Sequence, residues 1–241
     1  SELAGVAYIF PIFMLTSMLS NGAFGGAISG ATARAFGSKN LHLAECIFRS
    51  AILISLLGAL LMMLLFFSIS ERFFIFMKID QEVSSAALSY GNILLGGIFL
   101  IWLFNIIISI TRGSGNTIIP AFSWLIVLSS HVLLASFNFN YLDGNFILKN
   151  NVIFLSENYL FNSLEWSAIS LLSGYFFGLI FILGFYFFGN HSYTFKFSKI
   201  LQLDGFLKLI KSGSLASCQS LMTISLALFC TAVIGIFGSH W

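Results

Sequence analysis

The sequence predicts an all-α protein, a polytopic bundle of transmembrane helices. Of its 241 residues 58% are hydrophobic and 8% are charged, whereas a soluble domain carries about 25% charged residues. Too few charged side chains remain to cover a surface in water, so we place the chain in lipid. Six apolar runs reach the roughly 20 residues that a membrane-crossing helix needs. They do not alternate apolar and polar residues, which argues against the strands of a membrane barrel.

The predicted spans are separated by connections that differ in character, and two of these carry a pattern of their own. The spans cover residues 5–30, 51–70, 89–110, 118–138, 167–188 and 214–237. Each run has to be a helix because backbone polar groups find no water inside a bilayer. Residues 138–165 form a long connection, in which "NFILKNNVIFL" predicts a small hairpin at the membrane surface. Residues 190–212 mix lysine with phenylalanine and predict an amphipathic helix in the interface.

Lysine and arginine predict the orientation of the spans, because cytoplasmic loops are enriched in these residues. Eight of the eleven lie on one side of the predicted membrane and three on the other. The connections at 34–49, 111–117 and 189–212 are therefore expected in the cytoplasm. The three on the outer side are Arg72, Lys78 and Lys149.

Both ends of the chain are abrupt. The sequence begins at Ser1 and is apolar by Leu3, without the basic segment of a signal peptide. It stops at Trp241, directly after an apolar run. We interpret the chain as a fragment of a longer protein. Its three cysteines have no paired spacing, so we expect neither a disulfide nor a metal site.

The first span carries Gly22, Gly26 and Gly30 at intervals of four. Small residues at this spacing form one helix face that another helix can approach closely. One interpretation is packing alone. The other is that this bare face lines a cavity or slides against a moving helix.

The stretch "ITRGSGNTIIPAF", residues 110–122, interrupts two apolar runs. Gly113 and Gly115 permit backbone angles that other residues avoid. Pro120 suits the first turn of a helix, where its missing N–H costs little. The stretch therefore predicts a helix end, a tight loop and a new helix start.

Polar residues within the predicted spans are few, and none of the nine acidic residues is among them. His131 stands out because ionisable residues inside a membrane are rare and often functional. The alternative is a neutral imidazole that bonds to a neighbouring helix. We find no nucleotide-binding loop, metal-ligand cluster or nucleophile with a base, so we expect no enzyme, no catalytic residues and no cofactor. The other polar candidates are Asn105, Ser109, Gln219 and Thr223.

Two stretches resemble the multidrug and toxic compound extrusion (MATE) transporters. "NGAFGGAISGATARAFGSKNLHLAE", residues 21–45, is similar to the second helix of that family and its following loop, with Arg34 and Gly37 in an Arg-x-x-Gly segment. "TRGSGNTIIPA", residues 111–121, resembles the family's loop between the fourth and fifth helices, here with Arg112, Gly113, Gly115 and Pro120. The two arginines are 78 residues apart with two spans between them, as the family requires.

The resemblance implies part of a two-lobe transporter fold, covering helices two to seven of twelve. Residues 1–188 would form most of the N-terminal lobe, with five transmembrane helices. Residues 189–212 would link the lobes in the cytoplasm, and 213–241 would begin the C-terminal lobe. The implied function is secondary active efflux of organic cations or other amphipathic compounds. The exchanged ion would be H⁺ or Na⁺, and transport would proceed by alternating access.

The implied central cavity has candidate residues for substrate or ion, whereas Arg34 and Arg112 would serve cytoplasmic gating or topology. Thr223 falls about where some members carry a glutamate, and His131 where many carry an asparagine. The coupling ion therefore stays open. The cavity candidates are His131, Asn105, Ser109, Trp102, Gln219 and Thr223.

Two alternatives remain at this point. A lipid-linked flippase of the same superfamily would favour a more cationic cavity. A non-transporting, degenerate membrane homologue would explain the missing coupling acids. For the leading interpretation we expect a small-molecule substrate, a lipid bilayer and no nucleic acid. We also expect a monomeric full-length protein, multi-pass in the bacterial inner (plasma) membrane.

Overall fold

The computed structural model describes residues 2–76, 79–147, 163–188 and 203–236, which are helical apart from short turns. No strand occurs in these ranges, which confirms the all-α prediction. The first span contains a π-helix between two α-helices. The elements are α1 (Glu2–Ser17), the π-helix (Met18–Phe24), α2 (Gly25–Gly37), α3 (Leu41–Phe76), α4 (Gln81–Gly96), α5 (Ile98–Gly113), α6 (Ile118–Ile147), α7 (Ser163–Phe188) and α8 (Leu203–Ile236).

Four helices among the described residues are long and apolar enough to cross a membrane. They are Leu3–Gly37, Leu41–Ile75, Ile118–Ser136 and Leu164–Phe187. Helices α4 and α5 meet at a bend of 46° and make a fifth if they are counted as one span. These five correspond to the first five predicted spans. The sixth, 214–237, lies largely on α8 and stays a prediction.

Several helices are longer than the apolar runs that predicted them. Helix α6 continues to Ile147, past the predicted end of the span at residue 138. Helix α8 begins at Leu203 and runs through the predicted boundary between linker and span at residue 212. Neither extension contains a proline, so every residue there keeps the backbone N–H that a helix needs. Most of the predicted surface hairpin falls in 148–162, outside the described residues.

The turn between α5 and α6 has the form that the sequence predicts. Gly115 has a φ of +93°, which only glycine adopts readily. Gly113 serves a different purpose, since a Cβ there would meet the Ser29 carbonyl oxygen at 2.5 Å. The side chain of Asn116 accepts a hydrogen bond from the Ile119 amide at 3.1 Å and caps α6, with Pro120 in its first turn.

Helix α5 lies at the centre of the bundle. Nearly every side chain from Ile101 to Thr111 is buried. Phe104 packs edge-on against Trp124 of α6 and Tyr175 of α7, with ring centroids 5.1 and 5.4 Å apart. On its other side α5 lies against α2 and α3. Asn105 and Ser109 of α5 are therefore held against the first span, whereas the Thr111 hydroxyl lies 2.8 Å from that of Tyr186 on α7.

Candidate functional site

A cavity of about 450 Å³ lies between the first span and α8. Three residues singled out in the sequence, Gly22, Gln219 and Thr223, lie in its wall. The lining has no charged side chain and mixes hydroxyl, amide and small apolar groups. It consists of Ser17, Met18, Asn21, Gly22, Ala23, Ala216, Gln219, Ser220 and Thr223.

The π-helix forms the wall of this cavity on the side of the first span. It covers Met18–Phe24, and the Gly25 amide that follows donates to the Ser20 carbonyl, five residues back. Such short π segments inside α-helices occur frequently at functional sites. The wider turn places Ser20 on the buried side and Asn21 in the cavity lining.

A chain of hydrogen bonds joins the π-helix to α5. The Asn105 amide nitrogen donates to the Ser20 hydroxyl at 2.8 Å, and both side chains are fully buried. The Ser109 hydroxyl donates to the Asn105 carbonyl oxygen at 2.8 Å. Asn105 and Ser109, both predicted candidates, thus act together on the back of the cavity wall.

Arg112 extends this network to the cavity lining. Its guanidinium donates to Asn21 Oδ1 at 2.7 Å and to Ser109 Oγ at 3.1 Å. Ser109 lies one turn before Arg112 on α5, and Asn21 lies well inside the first span. The guanidinium therefore points back along the helices instead of past the end of α5.

Trp102 is part of the core and does not line the cavity. Its side chain is only 2% exposed. The indole lies against Gly58 of α3, where no larger residue fits, and 6.1 Å from the Phe24 ring. Trp102 Nε1 and Asn105 Oδ1 are buried without a hydrogen-bond partner in the described part of the chain.

His131 lies apart from the cavity, at the contact between α6 and α7. Its Nδ1 is 3.1 Å from the hydroxyl of Ser170, which is 1% exposed. The helices approach closely there because Gly174 faces His131 and the Val127 carbonyl. Nearby, the Trp166 indole donates to the Leu134 carbonyl at 2.9 Å. The imidazole thus bonds to a neighbouring helix, as expected if His131 serves packing. A role in proton coupling stays a prediction.

The three glycines of the predicted packing face have open space around them in the described part of the chain, whereas their neighbour Gly25 is closely packed. A Cβ on Gly22 or Gly26 would meet no described atom within 4 Å, and one on Gly30 only the Arg34 side chain at 3.5 Å. A Cβ on Gly25 would lie 2.5 Å from Ser109 Oγ. Close packing on α5 is therefore made by Gly25, while a packing role for the other three stays a prediction.

The first of the two sequence motifs, which contains Arg34 and Gly37, forms the end of α2. The Ser38 amide donates to the Arg34 carbonyl at 3.0 Å, and Gly37 is the last helical residue. Lys39 has a φ of +55° and takes the left-handed conformation after the helix end. Glycine is the usual residue at such a position. Asn40 then caps α3 by accepting from the Leu43 amide at 3.0 Å.

Sequence reasoning missed Ser20, Asn21 and Ser170 as site residues. Ser20 and Asn21 were available as polar residues inside the first predicted span, the criterion that selected Asn105. Their partners depend on how α5 crosses the first span, which the sequence does not state. The described residues contain no group of three or more His, Cys, Asp or Glu side chains suited to a metal ion.

A family comparison matches the chain over residues 1–137 with the family described as MatE. This range contains the first span, helices α3 to α5 and most of α6. It therefore covers one side of the cavity and the whole hydrogen-bond network behind it. No curated protein matches the chain.

Solved structures show the same fold. The chain is 21% identical to a multidrug resistance MATE family transporter of the MOP superfamily in an inward-facing conformation, with a TM-score of 0.75 over 92% of this chain and 47% of that one. An outward-facing structure matches with 20% identity and a TM-score of 0.75, covering 94% and 46%. A MOP superfamily transporter from Pyrococcus furiosus Vc1, described as having a binding pocket of reverse polarity, matches with 21% identity and a TM-score of 0.73, covering 94% and 46%. The chain thus spans about half the length of these proteins.

Proposed function

Because this chain belongs to the MatE family of transporters, as its two cytoplasmic motifs predict, we propose that it forms part of a secondary active efflux transporter. The exported compounds are organic cations or other amphipathic molecules, and the exchanged ion is H⁺ or Na⁺. The observation that carries the proposal is the cavity between the first span and α8. On the predicted domain division, this cavity lies between the two lobes.

The proposed mechanism is alternating access. Transporters of this kind rock two repeats around a site near the middle of the membrane. An ion shifts the balance between inward-open and outward-open states by binding one of them better. In this chain the π-helix supplies the moving contact to α8, while α5 anchors it through the Asn105–Ser20 bond. The cavity residues bind and release a substrate, and no described group suggests an enzymatic step.

The proposal is tested by transport in vesicles. We expect the full reading frame that contains this chain, reconstituted in proteoliposomes, to move a fluorescent amphiphile under a proton or a sodium gradient. The 241 residues alone should not do so, since one wall of the proposed cavity is supplied by a single helix. Cationic, neutral and anionic amphiphiles are each measured. If the full reading frame moves none of them under either gradient, the chain is a degenerate homologue and the proposal is wrong.

His131 is the proposed proton-coupling residue, because histidine is the side chain whose charge changes most readily near neutral pH. We expect His131→Gln in the full-length protein to flatten the pH dependence of export. The described groups nearest on α7 are Ser170, bonded to His131, and Gly174. Of the titratable residues on that helix, Glu165 accepts from Ser89 and Tyr175 packs on Phe104.

The control for this prediction is Ser170→Ala, which removes the partner hydroxyl and keeps the imidazole. Both variants should elute as the same monodisperse peak as the unmodified protein. A pH profile that is identical in His131→Gln and the unmodified protein would leave His131 as a packing residue between α6 and α7.

We further propose that the full-length protein resides as a monomer in the bacterial inner membrane. The predicted orientation places the Arg34 and Arg112 loops on the cytoplasmic side. This placement follows from the distribution of lysine and arginine.

A further inference from the structure

The cavity between the first span and α8 has an uncharged lining, but one of its residues is hydrogen-bonded to an arginine. Asn21 lies in the lining, and its Oδ1 accepts a hydrogen bond from the Arg112 guanidinium at 2.7 Å. Arg112 itself does not line the cavity. Its charge nevertheless lies directly behind the amide that a bound molecule would meet.

The arginine also decides which end of the Asn21 amide is available. A guanidinium only donates hydrogen bonds, so the atom bonded to it has to be the amide oxygen. The amide nitrogen of Asn21, which makes no hydrogen bond to the described residues, is left as a free donor. A donor polarised by a neighbouring cation binds an anionic acceptor better than a neutral one.

The other charged groups on the surrounding helices also favour an anion over a cation in the cavity. Lys211 precedes the lining residue Ala216 on α8 by about 7.5 Å along the helix axis, and Lys208 by about 12 Å. Asp204, the second residue of the same helix, precedes Ala216 by about 18 Å along the axis. On α3, Glu45 is paired with Arg49 at 3.3 Å. Positive charge therefore lies closer to the cavity along α8 than negative charge does.

We infer that this cavity takes the anionic group of an amphipathic molecule, such as a carboxylate, a sulfonate or a phosphate ester. The Asn21 amide nitrogen donates to the anion, and Arg112 holds that amide in place. Met18, Ala23 and Ala216 provide apolar contacts for the rest of the molecule. The inference rests on the proposed function, since it names the substrate class of the proposed transport cavity.

The test compares two probes that share one fluorophore and differ in charge. A dansyl group is linked either to a carboxylate or to a trimethylammonium, and each is titrated onto the purified chain in uncharged detergent at low salt. We expect the carboxylate probe to bind roughly tenfold more tightly, with the preference falling as salt screens the charges. Tighter binding of the trimethylammonium probe would overturn the inference.

Variants assign the preference to Arg112. Arg112→Gln should bring the ratio of the two dissociation constants close to one, and Arg112→Lys should keep most of the preference because it keeps the charge. Asn21→Ala should also lower the ratio, since it removes the donor. Arg34→Gln is the matched control: it removes one arginine from the same predicted membrane side, and the ratio should not change. An unchanged ratio in a folded Arg112→Gln variant, or loss of the preference in Arg34→Gln, would contradict the assignment.

Two sources of the anion are separated by repeating the titration in nanodiscs. Displacement of the carboxylate probe by phosphatidylglycerol, but not by phosphatidylcholine, would assign the site to a lipid headgroup. Binding unaffected by lipid would assign it to a soluble amphiphile. Failure of the proposed function is distinguishable, because it appears as absent transport of every amphiphile while the binding preference persists.

Discussion

Replacing Trp102 with alanine is expected to lower the free energy of unfolding by about 3 kcal/mol. The side chain is 2% exposed and fills the space between Gly58 of α3 and Phe24 of the π-helix. Its removal leaves a cavity that the surrounding helices can only partly close. We expect the lower end of the usual range because apolar burial itself contributes little between helices in lipid.

The matched control for Trp102→Ala is Phe122→Ala, which truncates an aromatic side chain that is 53% exposed on α6. Stability is measured as the temperature at which half of the protein leaves its monodisperse size-exclusion peak. Phe122→Ala should shift this temperature little. If Trp102→Ala instead changed substrate preference at unchanged stability, Trp102 would belong to the cavity, as the sequence alone predicts.

Replacing Gly113 with alanine is expected to destabilise the bundle by about 2 kcal/mol, typical of an overpacked interior. The added Cβ would meet the Ser29 carbonyl oxygen at 2.5 Å and Thr32 Cβ at 2.7 Å. The first of these is a backbone atom, so rotating a side chain does not relieve it. Helices α2 and α5 would have to separate, which would also disturb the Asn105–Ser20 bond between α5 and the π-helix.

Gly26→Ala is the control for Gly113→Ala. A Cβ there meets nothing within 4 Å, and alanine favours a helix over glycine by up to about 1 kcal/mol. We therefore expect Gly26→Ala to be neutral or slightly stabilising in the same heating experiment. A loss as large as that of Gly113→Ala would mean that Gly26 packs against a segment beyond the described residues, as the predicted glycine face implies. Wild-type stability in Gly113→Ala would show that α2 and α5 are not closely packed there.

The elements were largely predictable because they depend on local patterns. Long apolar runs indicate membrane helices wherever they occur, and five of the six predicted runs correspond to such helices or to the bent pair α4 and α5. The loop at 114–117 was predictable because glycine frees the backbone and proline restricts it at their own positions. The helix ends were less predictable. Helices α6 and α8 extend into polar residues, where no proline removes a backbone hydrogen-bond donor.

The candidate site was predictable only in part. Asn105 and Ser109 were selected as polar residues within a span, and both are in the network behind the cavity. Gln219 and Thr223 were selected by the same criterion, and both line it. Trp102 was grouped with them and lies in the core, because the sequence does not indicate which face of α5 meets which helix.

The sequence by itself determined that this protein is a helical membrane bundle with two motifs of the MatE family. Composition, the length of apolar runs and turn residues each determine the structure of one local segment, so they can be read from a single sequence. Only the tertiary structure decided that the first span contains a π-helix, that Arg112 points back toward Asn21, and that His131 meets Ser170. Each of these depends on how two helices cross, and side chains far apart in sequence meet only after the bundle has packed.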